Sequence, residues 1–175
     1  PELLFMEGPK RMYPAAPALN RSLPSVGLDT IHRANPGYRG RDVMVAFIDS
    51  GLDITHPAFM AENGSTSVIA VWDQVVTLPG RSPEELGYGT EWTSADIDAG
   101  RADVSDRSGH GTHVVGIAAG NGGTRDGSGA PGDTTPQYVG VAPEASILLV
   151  RTTYTNVAIL DAAIYIIARA DQYGM

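Results

Sequence analysis

Short apolar runs separated by polar turns set the pattern of this chain. Three of these runs, at residues 42–48, 67–72 and 146–150, are rich in β-branched residues and predict strands buried on both faces. The first run ends abruptly at the polar turn Asp49-Ser50-Gly51. Strands that alternate with helices along a chain indicate an α/β fold, here a parallel sheet flanked by helices.

Apolar residues at helical spacing predict two longer helices, over residues 111–119 and 156–170. Asn156 is placed to cap the start of the second helix. Thr93 and Asp96 have the spacing of a capping box, which predicts a shorter helix starting near Thr93.

The segments between these elements are predicted to be loops. Two long loops are predicted, at residues 73–93 and 121–138. Residues 1–26 are rich in proline and show no periodicity, so they are predicted to form an extended arm or linker.

Composition narrows the class of protein. The 175 residues suit one domain, and a hydrophobic share of 42% argues against disorder. With 12 basic and 20 acidic residues the net charge is −8, so neither a nucleic acid nor an anionic membrane is expected as a partner. No apolar run approaches the roughly 18 residues of a membrane span. The absence of cysteine excludes disulfides and thiolate chemistry.

Two residues are candidates for chemistry. Asp49 follows a predicted strand, and functional groups of open α/β sheets collect at the carboxyl ends of strands. His110 stands among glycines at the start of a predicted helix. Taken singly, an aspartate at a strand end is usually a turn or cap residue and a histidine beside glycines is usually a cap or loop residue, so their surroundings have to decide.

Those surroundings resemble a known family. Residues 45–57, VAFIDSGLDITHP, resemble the aspartate motif of subtilases, and residues 109–116, GHGTHVVG, resemble their histidine motif. Residues 139–145, VGVAPEA, resemble the segment that leads into the family's next strand. The resemblance implies a subtilisin-like α/β fold and a serine endopeptidase acting on proteins or peptides. It also implies that Asp49 is the orienting carboxylate and His110 the catalytic base.

The family's chemistry explains these residue types. A serine hydroxyl is a poor nucleophile at neutral pH, so a base must accept its proton during attack. Histidine can be that base and can later protonate the leaving amine, while a buried carboxylate holds the ring in the required tautomer.

The serine motif of the family does not occur in this sequence. Ser128 is preceded by the wrong residues, and Ser50 is the family's usual neighbour of the aspartate. We therefore expect residues 21–175 to be the N-terminal part of a catalytic domain, truncated before the later strands and inactive alone. The C-terminal remainder of the same protease is the expected partner. A non-catalytic pseudoprotease on the same fold stays open as the alternative, because the serine is unseen.

One branch of the family is closer than the others. Asp49 and His110 lie 61 positions apart, and the added residues resemble an insertion of clostridial germination-type subtilases. Residues 5–13 are similar to the end of that branch's propeptide, so residues 1–20 are predicted to be a propeptide tail or N-terminal arm. The protease's own propeptide is then a further partner, and a secreted or spore- or envelope-associated protein is implied.

The other histidines allow a different reading. His110 and His113 share one helical face and could bind zinc with a carboxylate, but the metalloprotease motif spaces its histidines four apart around a glutamate. The resemblance instead makes His113 a buried structural residue. His56 is predicted to be structural as well, and His32 to be exposed.

No cofactor is expected with certainty, although calcium is a candidate. Ala58 stands where subtilisins use a calcium-binding carboxylate, which counts against that site. Asp126 and Asp133, in the glycine-rich loop, are alternative calcium ligands, although aspartates in such a loop are more often only solvated. Chain order further suggests that residues 151–155 line part of the substrate cleft.

Overall fold

A mostly parallel sheet with helices on both faces forms the framework. The computed structural model describes residues 19–34, 38–61, 63–123 and 138–175. In chain order its elements are α1 (Leu19–Ser25), α2 (Leu28–Ala34), β1 (Met44–Asp49), a 3-10 turn (Pro57–Phe59), β2 (Val68–Asp73), β3 (Thr90–Thr93), α3 (Ser94–Asp98), α4 (His110–Ala119), β4 (Ser146–Arg151) and α5 (Asn156–Tyr173).

The strands lie in the order β1-β4-β2-β3. Strand β4 pairs in parallel with β1 on one side and β2 on the other, which confirms the predicted α/β architecture. Strand β3 pairs antiparallel with β2 and lies inside the predicted loop 73–93. Its four residues carry no apolar run, so only pairing with β2, distant in sequence, makes it a strand.

Each face of the sheet carries its own core. Alternate residues of a strand point to opposite faces, and β4 shows this directly, because Ile147 and Leu149 belong to one core and Leu148 and Val150 to the other. The first core is closed by α3 and α4 through Ile97, Val115 and Ala119. The second is closed by α5 through Ala162 and Tyr165.

Strand β1 is the exception in burial. Its residues 44–48 are apolar yet only partly buried, whereas four consecutive residues of β4, 147–150, are fully buried. Within the described ranges β1 has a partner on one side only, so its other edge faces solvent.

The three predicted helices form, but the cap of α5 and the segment before residue 26 differ from the predictions. Helices α4 and α5 occupy the predicted segments, and α3 begins with the predicted capping box, in which Thr93 and Asp96 each accept from the other's backbone N–H. The cap of α5 is Thr155 rather than Asn156, because its hydroxyl accepts from Ala158 N at 3.2 Å. Residues 19–25 form α1, so the prediction of an extended arm is wrong there. Residues 1–18 lie outside the described ranges.

No described helix is both long and apolar enough to cross a bilayer.

An ion-pair cluster fastens β3 to α5. Arg169 binds Glu91 with two nitrogens, Nε to Oε1 at 2.5 Å and Nη2 to Oε2 at 2.9 Å, and binds Glu85 at 3.0 Å. The Tyr165 hydroxyl donates to the same Glu91 carboxylate at 2.7 Å. Only 12% of the Arg169 side chain is exposed, so this pair is screened less than a surface ion pair.

Removing this arginine is expected to destabilise the fold. In Arg169→Met the stem is kept while Glu91 loses its charged partner, so the free energy of unfolding should fall by about 2 kcal/mol. Urea denaturation of the intact protein measures it. The control is Arg33→Met: Arg33 pairs with Asp29 on the exposed face of α2, and its loss should change stability by less than about 0.5 kcal/mol. Equal effects of the two variants would contradict the anchoring role of Arg169.

Candidate active site

The structure brings the two predicted residues together. Asp49 is the last residue of β1 and His110 the first of α4, and His110 Nδ1 lies 2.8 Å from Asp49 Oδ1. Asp49 is buried, with 8% of its surface exposed, while half of the His110 side chain reaches solvent. We refer to them below as the active-site pair, because the motifs predict them to be members of an active site.

Close backbone packing holds this pair. A Cβ on Gly111 would lie 2.2 Å from the carbonyl oxygen of Gly51, so only glycine lets α4 approach the turn after β1. Gly51 itself has a φ of 142° and a Cβ there would meet Ser105 O at 2.5 Å. The Ser50 N–H donates to Asp49 Oδ1 at 2.7 Å, which fixes the carboxylate from the same turn.

A second carboxylate, Asp106, holds the start of α4. Gly109 sits at the cap position with a φ of 73° and offers no side chain, so the first helical N–H groups need other acceptors. Asp106 Oδ2 accepts from both Thr112 N and Thr112 Oγ1 at 2.9 Å. Its Oδ1 accepts from Ser50 Oγ at 2.9 Å, and Ser50 Oγ accepts from Gly111 N at 3.1 Å. Asp106 thereby ties the turn after β1 to the helix that carries His110.

Sequence reasoning missed Asp106. The available signal was an acidic residue four positions before His110 with hydroxyl residues at 108 and 112. Without the fold, such a residue looks like any solvated loop aspartate.

The charges of these groups favour a carboxylate beside a basic imidazole. Burial alone raises the pKa of Asp49, but hydrogen bonds from His110 and Ser50 outweigh it and leave that pKa below its ordinary value. The hydrogen bond to Asp49 raises the pKa of His110, and the charges of Asp49 and Asp106 add to the rise. Burial alone would raise the pKa of Asp106. The hydrogen bonds from Thr112, Ser50 and Ser108 outweigh this effect and lower that pKa to about 2.

Two of the remaining histidines differ from the predictions in their exposure to solvent. His113 is exposed, so its prediction as a buried residue is wrong: the buried face of α4 follows Gly111, Val115 and Ala119, and position 113 points away from it. His32 is partly buried rather than exposed, with Nε2 2.9 Å from Val141 O.

His56 has the predicted structural place. Its Nδ1 accepts from Ala58 N at 3.3 Å at the start of the 3-10 turn, and its ring lies 5.5 Å from that of Phe59.

The described ranges contain no group of three histidine, cysteine or acidic side chains placed to share a metal ion. The candidate calcium ligands Asp126 and Asp133, and Ser128, lie outside those ranges.

The segment after β4 runs beside the active-site pair. Thr152 N donates to the backbone oxygen of Asp49 at 3.0 Å, and the Tyr154 hydroxyl lies 3.5 Å from Asp49 Oδ1. Arg151 turns the other way and pairs with the buried Asp73 at 2.9 Å. That pair forms one wall of a cavity of about 180 Å³ between the ends of β2 and β4 and residues 103–107.

Known proteins are similar to this chain in sequence and in fold. The Subtilase family matches residues 40–171. The major intracellular serine protease of Bacillus subtilis (strain 168) is 32% identical over 116 residues, which are 66% of this chain and 25% of that protein. A C5a peptidase of Streptococcus pyogenes serotype M3 is 28% identical over 164 residues, which are 83% of this chain and 13% of that protein.

Among solved structures, the CspB protease of Clostridium perfringens superposes with a TM-score of 0.64 at 22% identity, over 87% of this chain and 31% of that one. This likeness shows the fold. The chain spans a quarter or less of the length of the two curated relatives named above. The family match covers most of the chain and contains both members of the active-site pair, and the chain therefore belongs to the subtilase family of serine proteases.

Proposed function

We propose that this chain supplies the aspartate and histidine of a serine endopeptidase. The observation that carries the proposal is the hydrogen bond from His110 Nδ1 to Asp49 Oδ1. Because Asp49 accepts, Nδ1 holds the proton and Nε2 keeps its lone pair. Nε2 has no hydrogen-bond partner within the described ranges, and half of the side chain is exposed, so Nε2 is open to an incoming hydroxyl.

The chemistry then follows from these two groups. As a serine Oγ attacks the carbonyl carbon of a peptide bond, its proton passes to His110 Nε2, and Asp49 stabilises the resulting imidazolium. The proton next goes to the leaving amine as the C–N bond breaks. A water molecule hydrolyses the acyl ester, again with His110 as base, which restores the serine.

The nucleophile is proposed to come from the rest of the same protease. Two apolar surfaces of this chain support that idea. One is the edge of β1 that has no partner among the described residues, and the other is a stripe along α5 whose members are 45% to 67% exposed: Val157, Leu160, Ile164 and Ile167. A further strand beside β1 and helices over the α5 stripe would bury both. On this proposal residues 1–175 alone do not hydrolyse peptides.

Calcium binding near residues 126–133 stays a prediction, and no step above depends on it.

A fluorophosphonate probe and a variant at His110 test the proposal in the intact protein. The probe should modify one serine outside residues 1–175, because it reacts with a serine activated by a neighbouring base. His110→Ala should abolish this labelling and lower kcat/KM for peptide hydrolysis at least about 10⁴-fold, with little change in the unfolding midpoint.

His113→Ala is the matched control. It removes an exposed imidazole three positions along the same helix and should keep labelling and turnover. Labelling of Ser50 or Ser108, or near-normal turnover in His110→Ala, would rule out the proposed roles.

The pH profile tests the contact with Asp49. Because this contact raises the pKa of His110, kcat/KM should fall with decreasing pH along a limb that lies above the ordinary imidazole value of about 6.5. Asp49→Asn removes the charge that raises this pKa, so the limb should move to lower pH while the rate falls. A wild-type limb lying below that of the variant would contradict the sign.

Asp106 is expected to act through the position of α4. In Asp106→Asn one oxygen becomes an NH₂ group facing donors, which should cost about 1–2 kcal/mol of unfolding free energy and lower kcat about tenfold. Its pKa of about 2 lies below the ordinary aspartate value, so this contribution is present at neutral pH and disappears as the pH falls towards 2.

The control for this variant is Asp103→Asn, an exposed residue three positions earlier that makes no hydrogen bond to the pair or to α4 within the described residues. It should leave both stability and kcat unchanged, and a loss as large as that in Asp106→Asn would remove the specific role of Asp106.

A further inference from the structure

Tyr154 lies beside the active-site pair without being part of it. It occupies the connection between β4 and α5, and its hydroxyl is 3.5 Å from Asp49 Oδ1. Although its hydroxyl reaches the buried carboxylate, 60% of the residue is exposed. Neither the aspartate motif nor the histidine motif includes it.

Its backbone is held in an uncommon conformation. The φ angle of Tyr154 is 60°, in the left-handed region that residues other than glycine and asparagine rarely adopt. The turn is fixed on both sides, because Tyr154 N donates to Thr152 Oγ1 at 3.3 Å and Thr155 caps α5. A glycine would hold this turn with less strain. The cost of a tyrosine is therefore offset only by what its side chain does.

Three donors converge on Asp49 Oδ1. Ser50 N lies at 2.7 Å and His110 Nδ1 at 2.8 Å, which accounts for the two lone pairs of that oxygen. The Tyr154 hydroxyl comes third, at 3.5 Å, which is longer than the roughly 2.5–3.0 Å of an ordinary O–H···O bond and makes it the weakest of the three contacts.

We propose that Tyr154 is a positioning residue of the active centre, whose hydroxyl donates to Asp49 Oδ1, holds the carboxylate against His110 and moderates the negative charge that His110 experiences. Removing this donor leaves more of that charge facing the imidazole, which favours the imidazolium.

The charged and titratable groups around His110 come from three segments. Asp49 lies at the end of β1, Asp106 in the loop before α4, and Tyr154 after β4. Burial, together with the charge of Asp49, raises the pKa of Tyr154, so its hydroxyl keeps its proton at neutral pH and remains a donor. The two carboxylates favour protonated His110, and Tyr154 is the neutral group that opposes them.

The first test is the titration of the His110 ring by NMR in the intact protein. Tyr154→Phe keeps the ring and the backbone strain but removes the hydroxyl, and it should move the His110 titration to higher pH. Tyr38→Phe is the control, since Tyr38 is 68% exposed and far in sequence from the site, and it should leave the titration in place. An unmoved titration in Tyr154→Phe overturns the proposal. This readout does not require proteolysis, so it separates a failure here from a failure of the proposed function.

Kinetics supply the second test and rest on the proposed function. Tyr154→Phe should lower kcat about two- to fivefold, as expected for one long hydrogen bond, and leave KM unchanged. A rise in KM with unchanged kcat would overturn the proposal, because it would make Tyr154 a wall of the substrate cleft.

Tyr154→Gly should relieve the backbone strain without lowering the unfolding midpoint, while kcat falls at least as far as in the Phe variant. A Gly variant with wild-type kcat and wild-type His110 titration would also overturn it.

Discussion

The approach of α4 to the turn after β1 is the constraint on which the active-site pair depends. A hydrogen bond of 2.8 Å between side chains 61 positions apart requires the two segments that carry them to lie close together. Gly51 and Gly111 allow that contact, because neither place has room for a Cβ. Asp106 and Ser50 then convert it into a fixed geometry by joining the two backbones through hydrogen bonds. The position of His110 is therefore set by neighbours that do no chemistry themselves.

The local pattern of the sequence was sufficient to predict most of the sheet and both members of the active-site pair. Strands β1, β2 and β4 are continuous apolar segments, so the strands and their parallel pairing could be predicted from the pattern of the sequence, whereas the partial burial of β1 could not. Asp49 and His110 were found through motifs that record where a strand ends and a helix begins. Such motifs consist of residues that are neighbours in the sequence, and Asp49 and His110 both lie at the boundary of a secondary-structure element.

Features that depend on distant partners were not predictable in the same way. Strand β3 exists through its pairing with β2, and Asp106 matters because Ser50 and Thr112 converge on it. The outward direction of His113 follows from which face of α4 meets the sheet. In each of these cases the residue type was plain in the sequence, while its environment was decided by packing.

Strand β1 also bears on how the protein is made. Its partly exposed residues 44–48 form an apolar strand whose second edge is unpaired in the part of the chain that the structure describes, and such an edge can pair with another extended chain. If the rest of the protease follows on the same polypeptide, the ribosome needs several seconds, at roughly 5–20 residues per second, before the covering strand emerges. During that interval the nascent chain is exposed to self-association, and holding by a chaperone would favour correct completion of the sheet.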